Sequence, residues 1–345
     1  MGSIPEFSGL RVLITGASGF VGFALAERLI REGAEVWALI HDVDPSIMSG
    51  LRRERLIRGS LTDLQACERA IVTSQANVVF HLGAQAIVPH ARRDPHATLE
   101  ANVRGTYNVL EAWRRNKETR SVFIMASSDK AYGDLIVPGA IQPTEYGEAH
   151  PLEGRGPYDV SKSCADLIAQ SYALEYGLSI GIIRAGNIYG PGDFDLTRIV
   201  PSVARSLAKG EPPVLMSDGS PVRDYLYIDD AVEAYLSVMR HISGLSGTMN
   251  RSAQAFNFSG GEPISALKLA ELAIEEARLD RPVSPIVTGM RTGEIQLQVL
   301  STEKARKVLG WKPTVCLREG IRRTIHWWWS ESNGPVVAPI QKGFE

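Results

Sequence analysis

The segment that most constrains this chain is Thr15-Gly16-Ala17-Ser18-Gly19-Phe20-Val21-Gly22. It follows an apolar run, Arg11–Thr15, that reads as a strand, and it opens a helical pattern at 20–32 in which Val21, Leu25 and Leu29 form one stripe. Glycines at 16, 19 and 22 allow a tight turn, close approach of backbone to a ligand, and close packing of helix on strand. The helix then presents its N-terminal amides and partial positive charge to whatever lies over the turn, a setting suited to a pyrophosphate. A strand–glycine turn–helix unit of this kind predicts dinucleotide binding.

The rest of the first half continues the alternation. Candidate strands fall at Arg11–Thr15, Glu35–Ile40, Val78–His81, Ser121–Ala126 and Ser179–Arg184, with helix patterns near 20–32, 63–73, 96–116 and 158–176. Such alternation predicts an α/β fold, a Rossmann-type doubly wound parallel sheet with ligands bound beyond the carboxyl ends of the strands. After about residue 187, Gly190-Pro191-Gly192 and Glu211-Pro212-Pro213 punctuate shorter elements, with helix patterns near 198–209, 229–241, 264–279 and 317–329. The expected division is a dinucleotide-binding domain over 8–186 and a smaller C-terminal α/β lobe over 187–332 that binds substrate, with some segments returning to the first domain.

Composition narrows the class. Hydrophobic residues are 44 % and charged ones 22 %, with a net charge of −2, so neither a nucleic-acid footprint nor a membrane-surface protein is expected. The early apolar run is interrupted by Arg11 and Gly16, which predicts no signal peptide and no span. Three cysteines, Cys67, Cys164 and Cys316, are odd in number and widely spaced. They form no metal-ligand pattern and read as reduced thiols of a cytoplasmic protein. Trp327-Trp328-Trp329 ends a helix pattern and is read as docking the C-terminus. His81 continues an apolar strand and is read as a local hydrogen-bonding residue.

A second constellation carries chemistry. Tyr158 and Lys162 stand four apart, so on a helix they share a face. An ammonium beside a phenol favours the phenolate and prepares it to take a proton from a hydroxyl. With the GxxGxxG spacing, this YxxxK pair resembles the extended short-chain dehydrogenase/reductase family, the NAD-dependent epimerases and dehydratases. The resemblance runs over almost the whole chain. It implies Tyr158 as base, Lys162 as its partner and a ligand of the nicotinamide ribose, and Ser128 as the residue that hydrogen-bonds the reacting hydroxyl. It implies a cofactor site of Gly16, Ser18, Gly19, Phe20, Val21 and Gly22, with His41, Ser60, Leu61, Leu82, Gly83, Ala84, Gln85 and Asn102. Asn187, Arg198, Arg223 and Arg291 are implied to hold a nucleotide-diphosphate sugar, guanidinium forks being suited to phosphate oxygens. A homodimer through helices near 96–116 and 158–176 is implied as well.

There are departures from the family pattern. Ile40 stands where NAD enzymes of the family often carry an acid, with Asp42 two residues on and His41 placed near where a 2′-phosphate would lie. Ser60 replaces a frequent aspartate. NAD is the expected cofactor, with NADP left open. Within the family, the residues after the catalytic serine sort the reactions. Ser128-Asp129-Lys130 resembles the run of CDP-glucose 4,6-dehydratases, although the glycine loop lacks that group's His-Thr and Lys-Gly features. The resemblance therefore implies a nucleotide-sugar 4,6-dehydratase with Asp129 as acid and Lys130 as base or its support. A 4-epimerase, a hexuronate decarboxylase and a catalytically inactive binding protein are the alternatives.

Overall fold

A computed structural model describes residues 6–41, 55–116, 121–134, 145–245, 253–290 and 295–333. The central element is a sheet of seven parallel strands. They are β1 (Arg11–Thr15), β2 (Glu35–Ile40), β3 (Leu56–Arg58), β4 (Val78–His81), β5 (Val122–Ala126), β6 (Ile180–Ala185) and β7 (Gln254–Phe258), in the order β7-β6-β5-β4-β1-β2-β3. The inner strands are buried along nearly their whole length, as both faces are covered. Helices α2 (Leu64–Ser74), α3 (Gly105–Asn116) and α4 (Pro157–Tyr176) pack one face. There Leu13, Val79, Phe123 and Ile182 meet Ile71, Leu110, Trp113 and Ala169. Each large apolar side chain buried in this way contributes about 1.5–3 kcal/mol.

Helix α1 (Phe20–Arg31) buries Leu25 and Leu29. On the face opposite α4, helix α5 (Ile228–Gly244) lies against β6. A methyl group on Gly181 would come within 2.4 Å of Val238, so the glycine is what lets the helix approach. Phe80 of β4 meets Tyr235 of α5 edge-on at 6.4 Å. The doubly wound parallel sheet expected from the alternation is present.

Two strands of this sheet escape the reading of the sequence. β3 has only three residues, none fully buried, so its apolar signal is short. β7 interleaves Gln254 and Asn257 with apolar residues at a sheet edge, and it arrives after the change of texture near 187. The helix expected over 96–116 also contains a wider turn at Glu100–Arg104, where the Gly105 amide bonds the Glu100 carbonyl, five residues back.

The chain divides into two compact units. The first comprises 1–186, 229–259 and 300–312, and the second 187–228, 260–299 and 313–345. In the second unit, Asn187–Tyr189 pairs in parallel with Tyr225–Tyr227, and Val222–Arg223 lies between two other short strands. Trp328 is buried there, edge-on to Phe194.

Candidate active site

The glycine turn is held by backbone contacts that tolerate no side chain. Gly16 has φ +74°, and a Cβ there would meet the Gly83 amide nitrogen at 2.6 Å. A Cβ on Gly22 would meet the Gly16 carbonyl oxygen at 2.1 Å. Helix α1 therefore starts as near the turn as backbone allows. Gly19 at its cap is exposed, no side chain caps the helix, and no acid occupies its first turn. Uncapped N-terminal amides above a close-packed glycine turn fit the diphosphate of a dinucleotide.

The other residues expected at the cofactor lie at the ends of neighbouring strands. His41 is exposed just past β2, whereas Asp42 lies outside the described residues. Ser60 and Leu61 follow β3, where the Ser60 and Thr62 hydroxyls bond each other at 2.8 Å. Leu82, Gly83, Ala84 and Gln85 follow β4. Asn102 sits in the wide turn, 2 % exposed. Its carboxamide oxygen accepts the Gln85 amide at 2.7 Å, while its Nδ2 donates to the Gln85 carbonyl and to Ser161 Oγ. Ser161 in turn donates to the Tyr158 carbonyl at 2.6 Å. The loop after β4 is thus tied to the start of α4.

Ser128, Asp129 and Lys130 lie beyond the end of β5, where Asp129–Tyr132 make one 3-10 turn. Ser128 Oγ donates to Asp129 Oδ1 at 2.9 Å and accepts the Lys130 amide. Lys130 Nζ lies 3.1 Å from Asp129 Oδ2. The Asp129 side chain is 5 % exposed and that of Lys130 17 %, so the pair is partly shielded from water and in direct contact with the serine. Tyr158 and Lys162 occupy the first turns of α4, with Lys162 Nζ 6.0 Å from the Tyr158 ring centre. Lys162 donates to the Ala126 carbonyl. Burial lowers its pKa to about 8, against a smaller opposing pull from the Asp166 carboxylate.

Beneath the serine turn lies a buried cluster that reading the sequence did not assign. Arg184 on β6 grips both oxygens of Asp166 at 2.9 and 3.0 Å, and Ser127 Oγ donates to the same carboxylate at 2.7 Å. Arg184 also reaches the Tyr132 hydroxyl, which donates to Asn257. A signal was present, since Asp166 follows Lys162 by four residues and so shares its face of α4.

The expected substrate residues belong to the second unit. Asn187 begins its short strand. Arg198 caps the helix Ile199–Ala208, and its guanidinium is engaged by Asp193 at 2.7 Å and by the Ile188 carbonyl. Arg223 is half-buried and donates to the Val222 carbonyl. Arg291 lies outside the described residues.

The NAD dependent epimerase/dehydratase family matches residues 12–250. The chain belongs to that family. Family membership makes it an enzyme of the NAD-dependent epimerase and dehydratase kind, with NAD as cofactor. The chain is 29 % identical to a dTDP-glucose 4,6-dehydratase of Streptomyces griseus, over 92 % of its own length and 95 % of the relative's. It is 30 % identical to a UDP-glucose 4-epimerase of Mycolicibacterium smegmatis, over 94 % of this chain and 100 % of that one. The structure of a UDP-glucose 4-epimerase from Thermus thermophilus in complex with NAD superposes with a TM-score of 0.77. Identity there is 29 %, covering 92 % of this chain and 99 % of the epimerase. Among the described residues, no helix is long and apolar enough to cross a membrane.

Proposed function

We propose that the protein is a nucleotide-sugar 4,6-dehydratase, converting a nucleoside-diphosphate hexose to its 4-keto-6-deoxy derivative with loss of water. The observation that carries this reading is the buried Asp129, paired with the partly buried Lys130 and in contact with Ser128. A 4-epimerase needs a serine, a tyrosine and a lysine to oxidise and re-reduce carbon 4. A dehydratase needs in addition an acid and a base for elimination across carbons 5 and 6, and this pair supplies one of each.

Bound NAD would supply reversible hydride acceptance, taking hydrogen from carbon 4 and returning it to carbon 6. Gly16, Ser18, Gly19, Phe20, Val21 and Gly22 would hold its diphosphate, with Gly83, Gln85 and Lys162 on the nicotinamide side. His41, Ser60 and Leu61 would take the adenosine end. Tyr158 accepts the proton of the carbon 4 hydroxyl, and Ser128 hydrogen-bonds that oxygen. The resulting ketone acidifies the proton on carbon 5. Elimination uses the pair as an acid and an amine, the forms that one proton transfer across the 3.1 Å contact produces. Lys130 then receives the carbon 5 proton while Asp129 gives its own to the departing carbon 6 hydroxyl. Water leaves, and the pair returns to carboxylate and ammonium. Once carbon 6 has received its hydrogen, the Lys130 ammonium returns a proton to carbon 5, and the proton that Tyr158 took is passed back to the Lys130 amine by way of solvent, which restores both residues. Asn187, Arg223 and Arg291 would grip the nucleoside diphosphate, and Arg198 would help to shape that site from its anchorage on Asp193.

A homodimer is part of the same reading. Leu99, Tyr107, Leu167 and Leu174 are exposed apolar residues on the 95–116 helix and α4, which supports pairing of these helices with those of a second copy. Sedimentation at micromolar concentration tests it, and a monomer would end the idea.

Incubation of the purified protein with dTDP-, CDP-, GDP- and UDP-hexoses in heavy water tests the reaction. A 4-keto chromophore is expected with one of them, with solvent deuterium at carbon 5. Inversion at carbon 4 with no deuterium in the sugar would make the protein an epimerase instead.

A further inference from the structure

His81 is the last residue of β4 and 3 % exposed, and the parallel register sets it beside Thr15, the last residue of β1. Its Nδ1 is 2.8 Å from Thr15 Oγ1 and its Nε2 is 3.1 Å from Thr106 Oγ1. The directions of these bonds follow from their neighbours. Thr106 Oγ1 spends its only proton on the Asn102 carbonyl at 2.6 Å, so it accepts from His81 Nε2. Thr15 Oγ1 accepts the Gly83 amide at 3.1 Å, which leaves its own proton for His81 Nδ1. An imidazolium would donate to both hydroxyls and leave the Thr15 proton without an acceptor in a buried place. Burial, and then the Lys162 cation, press the same way, lowering the imidazole pKa to about 3.

The run continues past Thr106. Asn102, whose carbonyl receives the Thr106 hydroxyl, holds Gln85 and Ser161 with its side chain, and Ser161 holds the Tyr158 carbonyl. Every donor and acceptor in this series is used in one consistent sense. Thr15, His81, Thr106, Asn102 and Ser161 are all almost completely buried, so water does not compete for the bonds.

We propose that His81, held as the neutral tautomer with its proton on Nε2, is a positioning residue. Through Thr15 on one side and Thr106 on the other, it ties the glycine turn after β1 to the helix that carries Tyr158. The proposal deepens the reading of Tyr158 as base and rests on it for its effect on turnover. The bonds themselves do not depend on that reading. His81 has a side chain that donates at one edge and accepts at the other, which is what two threonines with opposite needs require.

Two measurements on the full-length protein test this. Long-range proton–nitrogen spectra of histidine-labelled protein, with the signal assigned by its loss in His81→Gln, should show the Nε2–H tautomer unchanged from about pH 5 to 8, the interval in which an ordinary histidine titrates. An Nδ1–H pattern, or titration in that interval, overturns the proposal whatever the substrate proves to be. Thr106→Val keeps the shape and removes the hydroxyl. It should lower kcat at least about tenfold, the size of effect expected from a small misplacement of reacting groups. KM should stay within about twofold, and Thr106→Ser should restore kcat. Unchanged kcat in Thr106→Val, or failure of the serine to restore it, overturns the positioning role. If Thr106→Val does not fold, His81→Gln serves in its place, because an amide also offers one donor and one acceptor. Its kcat should then exceed that of His81→Leu, and equal values overturn the role. Absence of turnover in the wild-type protein would count against the dehydratase reading and leave the spectra to decide on the tautomer.

Discussion

Lys162 donates from its ammonium to the carbonyl oxygen of Ala126, 3.0 Å away, at the end of β5 and two residues before Ser128. One side chain of α4 thereby clasps the strand that delivers the serine turn. The clasp also buries a charge, which is why its pKa falls to about 8 from the ordinary 10.5.

That shift makes stability depend on pH. Between pH 8 and 10.5 the unfolded chain keeps the lysine proton and the folded protein has released it. Unfolding then takes up protons, so stability rises with pH across this window, and the penalty for the buried charge is fully present below it. Denaturant unfolding of wild type and Lys162→Met should show the wild type gaining about 3 kcal/mol on the variant as pH is raised through the window. A constant difference would mean that the lysine is not desolvated in the folded protein.

Tyr158→Phe removes the proposed proton acceptor and leaves the glycine turn intact. Turnover should fall by about 10²–10⁴-fold, the usual cost of losing an acid–base group, with NAD still bound on purification. Activity within tenfold of wild type would require a different base.

In the proposed mechanism Asp129 and Lys130 serve elimination and not oxidation at carbon 4. Asp129→Asn and Lys130→Ala, mixed with the correct substrate in a single turnover, should develop reduced-nicotinamide absorbance while no 4-keto-6-deoxy product forms. Normal product formation by both variants would reduce the pair to a structural ion pair.

Gly22→Ala places a methyl group 2.1 Å from the Gly16 carbonyl oxygen, a distance that forces the turn and α1 apart. NAD affinity should drop at least about tenfold through loss of the helix-terminal contacts to the diphosphate. Calorimetry giving wild-type affinity would remove the glycine turn from the cofactor site.

Much of this was legible because its determinants are local. Thr15-Gly16 through Gly22 specifies a turn by backbone sterics within eight residues, and the spacing of Tyr158 and Lys162 is set by one helical repeat. β1, β2 and β4 could be read to the residue because buried parallel strands are short apolar runs bounded by turns. β3 and β7 could not, since an edge strand of three residues and a strand interleaved with polar residues earn their place from neighbours brought by the fold.

The site divides in the same way. The residue types proposed to oxidise an alcohol and eliminate water could be picked out in the sequence, since Ser128, Asp129, Lys130, Tyr158 and Lys162 carry that chemistry in their side chains and stand in short runs that resemble the family's. Only the tertiary structure decided that Thr15 and Thr106, ninety-one positions apart by their numbers, approach opposite edges of His81. It likewise decided that Asp166 meets Arg184 and Ser127. Hydrogen-bond partners in a buried network are chosen by the register of strands and the placement of helices, and neither is written in any short stretch of chain.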